Sequence, residues 1–370
     1  MSRFARCNKV LYVEPSIDLR SFRQALRQTT FKWTDLWRDL KQNPVRQVRD
    51  NLYIFHSPIP ISGRRPFDRM TRFIWKRHLA SAMRKLGFHP PIVWLSRPNM
   101  VSLTTGFGAT LVIYHVVDEY QAYLGEDREA RRQQQVLEQR LLKSVGLVIV
   151  VSEKLLTAKR AFNEHTYLVP NGVDAQAYMQ ALHSHAPLPP DIAGLPKPVI
   201  GYSGLIAARL NLDWLHHLAI RRPDWSIALV GAVDDRRCAD ELVQLRQLKN
   251  VYFLGRKTID QVPHYVRAFD VCLIPYRVDE RAQHASPLKL YDYLATGKPI
   301  VTTDFAAAGQ FKECVRIAGT QEEFVRQIAE ALSEHDADLF RARQRIAVEN
   351  TWDVRVEQLS AILQSRLAVG

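Results

Sequence analysis

Short runs of apolar and β-branched residues alternate with helical patterns along most of this 370-residue chain. Clear runs are Ile92–Leu95, Thr110–His115 and Leu147–Val151, and a helical pattern covers Glu126–Lys143 between the last two. Strands that are apolar along their whole length are buried on both faces, which is typical of a parallel sheet covered by helices. The sequence therefore predicts an α/β fold in which ligands bind beyond the carboxyl ends of the strands.

The length and a proline-rich segment predict two domains. A chain of 370 residues is long for one domain, and His183–Pro198 is rich in proline and small residues before the strand pattern restarts at Val199. We predict an N-terminal domain over residues 1–175, a linker over 176–197 and a second domain over 198–345. The last segment, 346–370, is predicted to be a helix that packs back on the first domain.

Positive charge is concentrated at the start of the chain. The formal net charge is +13, and residues 1–100 hold 20 Lys and Arg residues against 6 Asp and Glu residues, so the whole excess lies there. A field of this sign attracts polyanions such as nucleic acid, an anionic lipid surface or a phosphorylated substrate. Because no nucleic-acid recognition module is visible, we expect no nucleic acid as a partner.

Neither a membrane-spanning segment nor a secretory signal is visible. No run approaches the ~18 to 20 apolar residues that a bilayer-spanning helix needs, and the first residues, MSRFARCNKV, lack the apolar stretch of a signal peptide. The cysteines have no zinc-ligand or disulfide-framework spacing; they are Cys7, Cys238, Cys272 and Cys314. We therefore expect a cytoplasmic protein whose cysteines are reduced and buried.

A basic amphipathic segment occupies Arg64–Lys85. It has eight Lys or Arg residues against one acid, Asp68, and its apolar residues, among them Phe73 and Ile74, are near helical spacing. Such a helix can attach to a membrane, because headgroup attraction adds to the shallow burial of apolar side chains. An ordinary solvated helix has the same pattern.

The stretch Ser286–Val301 predicts a helix with an anion site, followed by a buried strand. Ser286 is a favoured N-cap, and Pro287 suits the first helical position. The amides of Leu288 and Lys289 would lack intrahelical acceptors at the positive end of the helix dipole, so an anion is stabilised there. Any capped helix before any strand would fit the same pattern.

Two polar residues stand at or just after a predicted strand of the first domain. His115 and Asp118 lie in the segment YHVVDEY, where a parallel sheet binds its ligands. His115 could equally be a hydrogen-bonded core histidine, and Asp118 a helix cap or a solvated loop acid. Residues 336–338 spell DxD, but they precede a helical tail rather than follow a strand, so they are a weak metal site.

Four features together resemble the GT-B glycosyltransferases: two linked α/β domains, PNGVD at 170–174, GYSG at 201–204 and SPLKLYDYLATGKPIV at 286–301. The likeness is strongest to family 4 and to related bacterial exopolysaccharide glycosyltransferases. It covers most of the chain in order, although the N-terminal domain resembles the family more loosely. It implies two Rossmann-like domains whose parallel sheets face each other across a cleft, with a nucleoside-diphosphate sugar held by the second.

The resemblance also assigns donor-binding roles. It implies that Lys289 and the Leu288 amide hold the diphosphate, and that Asp292, on the same helix face as Lys289, takes the ribose hydroxyls. Family members have Arg or Lys after the glycine that matches Gly204, whereas Leu205 stands here. The full set implied is Gly204, Arg209 as a substitute cation, Arg256 near the base, His284, Ser286, Leu288, Lys289 and Asp292.

Two mechanisms follow from the resemblance. In an inverting enzyme Asp118 is the general base that takes the acceptor proton. In a retaining enzyme a diphosphate oxygen receives the proton, and His115 positions the sugar. Neither version needs a metal. We favour inversion, because the retaining pattern has Glu eight residues before the acid of the helix, and His284 stands there instead.

The sequence is therefore interpreted as a hexosyltransferase that moves a sugar from a UDP- or GDP-sugar to a lipid-linked saccharide in surface polysaccharide synthesis. We expect it at the inner face of the membrane, held peripherally through its basic N-terminal domain, with no metal and no cofactor besides the donor. Two alternatives stay open. One is a nucleotide-sugar epimerase of the same fold, and the other is a non-catalytic sugar-nucleotide-binding scaffold.

Overall fold

A computed structural model of the chain describes residues 1–14, 44–56, 67–120 and 127–369. Its strands are β1 (Val10–Val13), β2 (Val45–Arg49), β3 (Leu52–Phe55), β4 (Ile92–Leu95), β5 (Leu111–Val116), β6 (Leu147–Val150), β7 (Thr166–Leu168), β8 (Val199–Ser203), β9 (Ser226–Val230), β10 (Val251–Gly255), β11 (Val271–Ile274), β12 (Ile300–Thr303) and β13 (Arg316–Ala318). Its α-helices are α1 (Phe67–Lys85), α2 (Arg128–Ser144), α3 (Glu153–Arg160), α4 (Ala175–Leu182), α5 (Pro190–Ala193), α6 (Leu212–Arg221), α7 (Ala239–Arg246), α8 (Val262–Ala268), α9 (Glu280–His284), α10 (Leu288–Ala295), α11 (Ala306–Gly309), α12 (Gln321–Leu332), α13 (Ala337–Glu349) and α14 (Trp352–Val369).

The chain forms two compact units. The first comprises Met1–Tyr114, Leu137–Leu147 and Leu363–Gly370, and the second comprises His115–Val136 and Val148–Ile362. The predicted linker 176–197 contains most of α4 and all of α5. The domain boundaries predicted from the strand and helix patterns are not tested by this division, and they stay predictions.

The first unit contains a small mixed sheet with the strand order β1–β3–β2. Strand β3 pairs in parallel with β1 and antiparallel with β2. The buried Phe55 ring at the end of β3 meets the edge of Trp75 from α1, with 6.3 Å between ring centroids. The helix predicted within Arg64–Lys85 is therefore present, and Trp75 and Leu79 face the core.

The second unit is built on a six-stranded sheet with the order β10–β9–β8–β11–β12–β13. Every strand pair in it is parallel. Strands β8, β9, β11 and β12 are buried along their whole length, as their apolar sequences predict. A further sheet has the order β4–β5–β6–β7. The predicted α/β class with parallel sheets is confirmed.

The C-terminal tail departs from the prediction. We predicted a helix over 346–370, but α13 ends at Glu349 and α14 begins only at Trp352. The break occurs because Thr351 forms a parallel bridge with Val173, and the Trp352 amide donates to the Val173 carbonyl at 3.1 Å. Long-range pairing of the backbone overrides helix propensity at this point.

Two further predictions can be compared with the structure. Cys238, Cys272 and Cys314 are buried free thiols as expected, but Cys7 is exposed, so that part of the prediction is wrong.

Asp336 of the DxD sequence caps α13, because its carboxylate accepts from the amides of Asp338 and Leu339. Its place at a helix start agrees with our view that DxD is a weak metal site.

Among the helices of the described ranges, none combines the length and apolar character needed to cross a membrane.

Candidate functional site

The predicted anion-binding helix is α10, which begins at Leu288, one residue later than expected. Pro287 rather than Ser286 occupies the N-cap position, and no side chain caps the helix. The expected cap by Ser286 is therefore wrong, because the backbone at Pro287 is still extended, with φ −71° and ψ 121°. A first turn without a side-chain cap leaves the amides of Leu288 and Lys289 available to an anionic ligand.

Lys289 projects from α10 into a buried aromatic setting. Its Nζ donates to the Tyr276 hydroxyl at 2.7 Å, and it lies 5.2 Å from the ring centroid of Tyr202 and 5.1 Å from that of Tyr276. Burial lowers the pKa of Lys289, because the charged amine has lost most of its water. The rings recover a part of that cost through cation–π attraction. An anion bound beside the amine would recover more.

Arg209 brings a second cation to the same tyrosine. Its guanidinium carbon lies 5.2 Å from the Tyr276 ring centroid, and its charge contributes to lowering the pKa of Lys289. Two backbone hydrogen bonds fix its loop, since the Asn211 amide donates to Pro275 at 2.7 Å and the Arg277 amide donates to Arg209 at 2.9 Å. Two cations so placed repel each other, and a diphosphate between them would relieve this repulsion.

Gly204 leaves space beside the Lys289 amine. It follows β8, has a φ of +142°, and its amide donates to the Val230 carbonyl at 2.8 Å. A Cβ at this position would lie 3.0 Å from both Lys289 Cε and the Tyr202 hydroxyl. A side chain here would therefore crowd the amine as well as strain the backbone.

Asp292 lies one turn after Lys289 and is the second charged group of α10. Burial raises the pKa of Asp292 to about 7, against the opposing influence of the Lys289 charge and a hydrogen bond from Tyr178. The Tyr178 hydroxyl belongs to α4, and burial raises its pKa as well. The structure thus brings Asp292 within electrostatic range of Lys289, on the helix face where the sequence predicts both.

The two predicted catalytic residues lie at the end of β5 and just beyond it. Burial lowers the pKa of His115 to about 4, so its imidazole is neutral near neutral pH. The carboxylate of Asp118 accepts from the Glu119 amide at 2.9 Å. Burial raises the pKa of Tyr276, and the Asp118 charge adds to that rise. Asp118 is therefore within electrostatic range of the tyrosine that holds Lys289.

A buried ion pair anchors the chain next to Asp118. Lys159 of α3 donates to Glu119 at 2.8 Å, and both side chains are almost completely shielded from solvent. A buried pair of this kind is costly to break, because either partner alone would be an uncompensated charge. The pair therefore restricts the backbone from which Asp118 projects.

Two residues predicted to bind the sugar-nucleotide donor have fewer contacts with the rest of the site. Arg256 follows β10 at the same sheet edge, but its side chain is exposed and no contact within the described ranges joins it to Lys289. His284 ends α9, and its Nδ1 is buried without a hydrogen-bond partner among the described residues. The binding roles assigned to all these residues stay predictions.

Three tyrosines of this region did not enter the sequence-based candidate list: Tyr178, Tyr202 and Tyr276. Tyr276 stands two residues after β11, so the rule that ligands bind beyond strand carboxyl ends could have found it. Tyr202 lies within the GYSG motif itself. Tyr178 follows PNGVD in α4, and no local pattern connects it with Asp292.

Comparison with known families matches the region that holds most of this site. Residues 197–334 match the model of the family described as Glycosyl transferases group 1. This segment is therefore similar to the members of that family. It contains α10 and the loops of Gly204, Arg209 and Tyr276. The predicted resemblance to glycosyltransferases is thereby confirmed.

The chain is also similar to a curated protein of Bacillus subtilis strain 168. This relative, TuaH, is named as a glycosyltransferase of teichuronic acid biosynthesis and is 28% identical over 198 residues. The match covers 54% of this chain and 46% of TuaH, so the chain spans about half the length of the relative.

Solved structures support the fold. Sucrose-phosphate synthase from Thermosynechococcus elongatus has a TM-score of 0.70 at 17% identity, covering 100% of this chain and 92% of its own. Anabaena HepE in complex with UDP has a TM-score of 0.60 at 16% identity, covering 85% and 86%. The E. coli structure titled as trehalose-6-phosphate bound with UDP-2-fluoro glucose has a TM-score of 0.65 at 11% identity, covering 95% and 98%. The predicted GT-B fold is confirmed.

The raised pKa of Asp292 predicts a pH-dependent gain of stability on its replacement. The folded carboxyl keeps its proton up to about pH 7, whereas an unfolded one loses it near about pH 4. Stability from this group is therefore present at low pH and is lost as the pH rises through about 7. We expect Asp292→Asn to raise the melting temperature at about pH 8 by several degrees and to change it little at about pH 4.

Thermal unfolding at both pH values, followed by circular dichroism, measures this difference. Replacement of the exposed Asp338 by Asn is the matched control and should show no comparable gain at high pH. Equal effects of Asp292→Asn at the two pH values would contradict the burial argument.

Proposed function

We propose that this protein is a glycosyltransferase that moves a hexose from a UDP- or GDP-sugar to a lipid-linked saccharide during surface polysaccharide synthesis. The family of residues 197–334 supports the transferase class. The names and titles of similar proteins support a uridine nucleotide donor and a polysaccharide product, since TuaH is named for teichuronic acid biosynthesis and HepE was solved with UDP.

One observation carries the donor part of the proposal: two cations and an uncapped helix start converge on Tyr276. Lys289 is bonded to its hydroxyl, Arg209 lies over its ring, and the first amides of α10 adjoin the amine. A diphosphate carries the charge and oxygen acceptors that such an arrangement binds. The Asp292 carboxylate is suited to accept hydrogen bonds from the ribose hydroxyls.

The chemical step is proposed to proceed with inversion. An acceptor hydroxyl attacks the anomeric carbon, and the bond from that carbon to the diphosphate oxygen breaks. Asp118 takes the hydroxyl proton, and the nucleoside diphosphate leaves with the bonding electron pair. Lys289, Arg209 and the α10 amides stabilise the charge that develops on the leaving group, so no metal is required. In the retaining alternative, the leaving oxygen takes the proton and His115 positions the sugar.

The acceptor part of the proposal rests on helix α1. Its sequence has six Lys or Arg residues and one acid, and it exposes Met70 and Phe73 to 54% and 59%. The Arg77 guanidinium lies over the Phe73 ring at 5.7 Å. Exposed apolar side chains beside cations favour an anionic membrane surface, where a lipid-linked acceptor is held. We therefore propose peripheral attachment at the cytoplasmic face.

Replacement of Lys289 tests the donor site. We expect Lys289→Ala to lower transfer at least about 100-fold, because a preorganised charge on the leaving diphosphate is lost. The measurement is release of UDP or GDP from a panel of nucleotide sugars with lipid-linked oligosaccharides as acceptors. Lys298→Ala is the control, since the Lys298 amine donates to the carbonyls of Arg267 and Phe269 rather than to Tyr276.

Normal turnover by a folded Lys289→Ala variant would overturn the donor assignment. The same panel separates the alternatives. Conversion of the donor sugar to an isomer without any acceptor would identify an epimerase. Binding of donor with neither hydrolysis nor transfer across the panel would identify a scaffold.

Asp118→Asn distinguishes the two stereochemical routes. If Asp118 is the base, kcat should fall about 100- to 10,000-fold, because the amide cannot accept the proton. Asp127→Asn is a suitable control, as its carboxylate accepts from the Ala130 amide at the start of α2. A mild effect at Asp118, with retained anomeric configuration in the product by NMR, would favour the retaining route.

The exposed face of α1 predicts salt-dependent binding to anionic vesicles. Replacing Met70 and Phe73 together by Ser should weaken sedimentation with phosphatidylglycerol vesicles about tenfold, because both shallow anchors are removed. Ile220→Ser removes an exposed apolar residue from α6 and serves as the control. Equal sedimentation with neutral vesicles, or competition by duplex DNA at equal charge, would contradict membrane recognition.

A further inference from the structure

The residues before α10 are fixed by hydrogen bonds to their carbonyls rather than by a side chain that caps the helix. Ser152 Oγ donates to the His284 carbonyl at 2.9 Å, and Asn171 Nδ2 donates to the Ser286 carbonyl at 2.6 Å. These carbonyls belong to the residues just before the helix. The chain is therefore fixed without any side chain occupying the amides of Leu288 and Lys289.

Asn171 belongs to the PNGVD turn, and this turn is itself anchored. The Val173 amide donates to the Asn350 carbonyl, and the Trp352 amide donates to the Val173 carbonyl, both at 3.1 Å. A Cβ on Gly172 would lie 2.9 Å from the Trp352 nitrogen, so glycine permits this close approach. The turn and residues 350–352 thus form one backbone joint.

Arg355 ties the joint to α10. Its side chain is buried, and its Nε donates to the Asn171 carbonyl at 3.3 Å. Its other nitrogens bond to Asn350 and, at 3.0 Å, to Gln358. Tyr291 of α10 lies within electrostatic range of Arg355. Both the side chain and the backbone of Asn171 are therefore fixed in place.

We propose that Asn171 and Arg355 are positioning residues for diphosphate binding, acting by holding the start of α10 in place of a helix cap. This inference rests on the proposed function of the α10 site. A helix start normally gains order from a side chain that accepts from its first amides. A capping side chain would occupy the amides that an anion needs. Ser152 and Asn171 instead donate to carbonyls before the helix, so the amides stay available.

A purely structural role for Asn171 would give a different result from a positioning role. Loss of a structural contact lowers stability and weakens every ligand of the unit alike. Loss of positioning disturbs the first turn of α10, where small displacements matter most for the group bound there. The affinity contributed by the second phosphate of a nucleotide should therefore fall far more than that contributed by the nucleoside.

The experiment compares diphosphate with monophosphate binding. UDP, GDP, UMP and GMP are titrated by calorimetry into the full-length protein and into Asn171→Asp, which keeps the size of the side chain but turns an oxygen toward the Ser286 carbonyl. We expect the diphosphate that binds the wild type to lose about tenfold in affinity, and its monophosphate to lose less than about twofold.

Asn250→Asp is the matched control. Asn250 Nδ2 donates to the carbonyls of Ala219, Arg222 and Trp225 within the same unit, each at 3.1 Å. Its replacement costs hydrogen bonds of the same kind away from α10, so the ratio of diphosphate to monophosphate affinity should stay unchanged. Melting temperatures of the two variants are measured to compare their losses of stability.

Arg355→Lys provides a second variant if Asn171→Asp does not fold. It keeps the charge but loses the guanidinium that bonds to both Asn171 and Asn350, and it should lower the affinity ratio about threefold. Parallel losses for both nucleotides, or an unchanged ratio in a folded Asn171→Asp protein, would overturn the positioning role alone. A wild type that binds none of the four nucleotides would instead overturn the proposed function.

Discussion

A buried ammonium group held by a tyrosine hydroxyl is the interaction around which the site is organised. Transfer of an amine out of water is unfavourable unless hydrogen bonds and opposite charges replace its hydration. Lys289 donates to the Tyr276 hydroxyl, and its amine lies near the rings of Tyr202 and Tyr276. The Gly204 backbone leaves room for this placement, Arg209 adds positive potential to it, and Asp292 supplies an opposing charge.

Features that oppose stability are concentrated at this one edge of the six-stranded sheet. The edge has a buried amine, a carboxyl whose pKa is raised to about 7, and a helix that lacks a side-chain cap. Binding sites commonly retain such features because the ligand, when bound, supplies the missing partners. The strands β8, β9, β11 and β12, buried along their whole length, provide the packing that offsets them.

The sequence predicted those parts that depend on local pattern. Continuous apolar strands identified the parallel sheet, and β12 was found from its β-branched residues and the Gly-Lys-Pro before it. The helix start was missed by one residue, and the bond from Asn171 to the Ser286 carbonyl joins positions 115 residues apart, so it left no local signal. The pairing of Val173 with Thr351 left no local signal either, so the break between α13 and α14 was not foreseen. Motif resemblance identified Lys289 and Asp292, but the contacts that place Tyr202 and Tyr276 beside Lys289 became visible only in three dimensions.

The joint between the PNGVD turn and residues 350–352 also imposes an order on biosynthesis. A chain emerging from the ribosome folds its earlier segments first. The six-stranded sheet can pair once residue 318 has emerged, but the Asn171 carbonyl meets the Arg355 side chain only after Arg355 has been added. The newly made chain can therefore complete this sheet before it completes the joint.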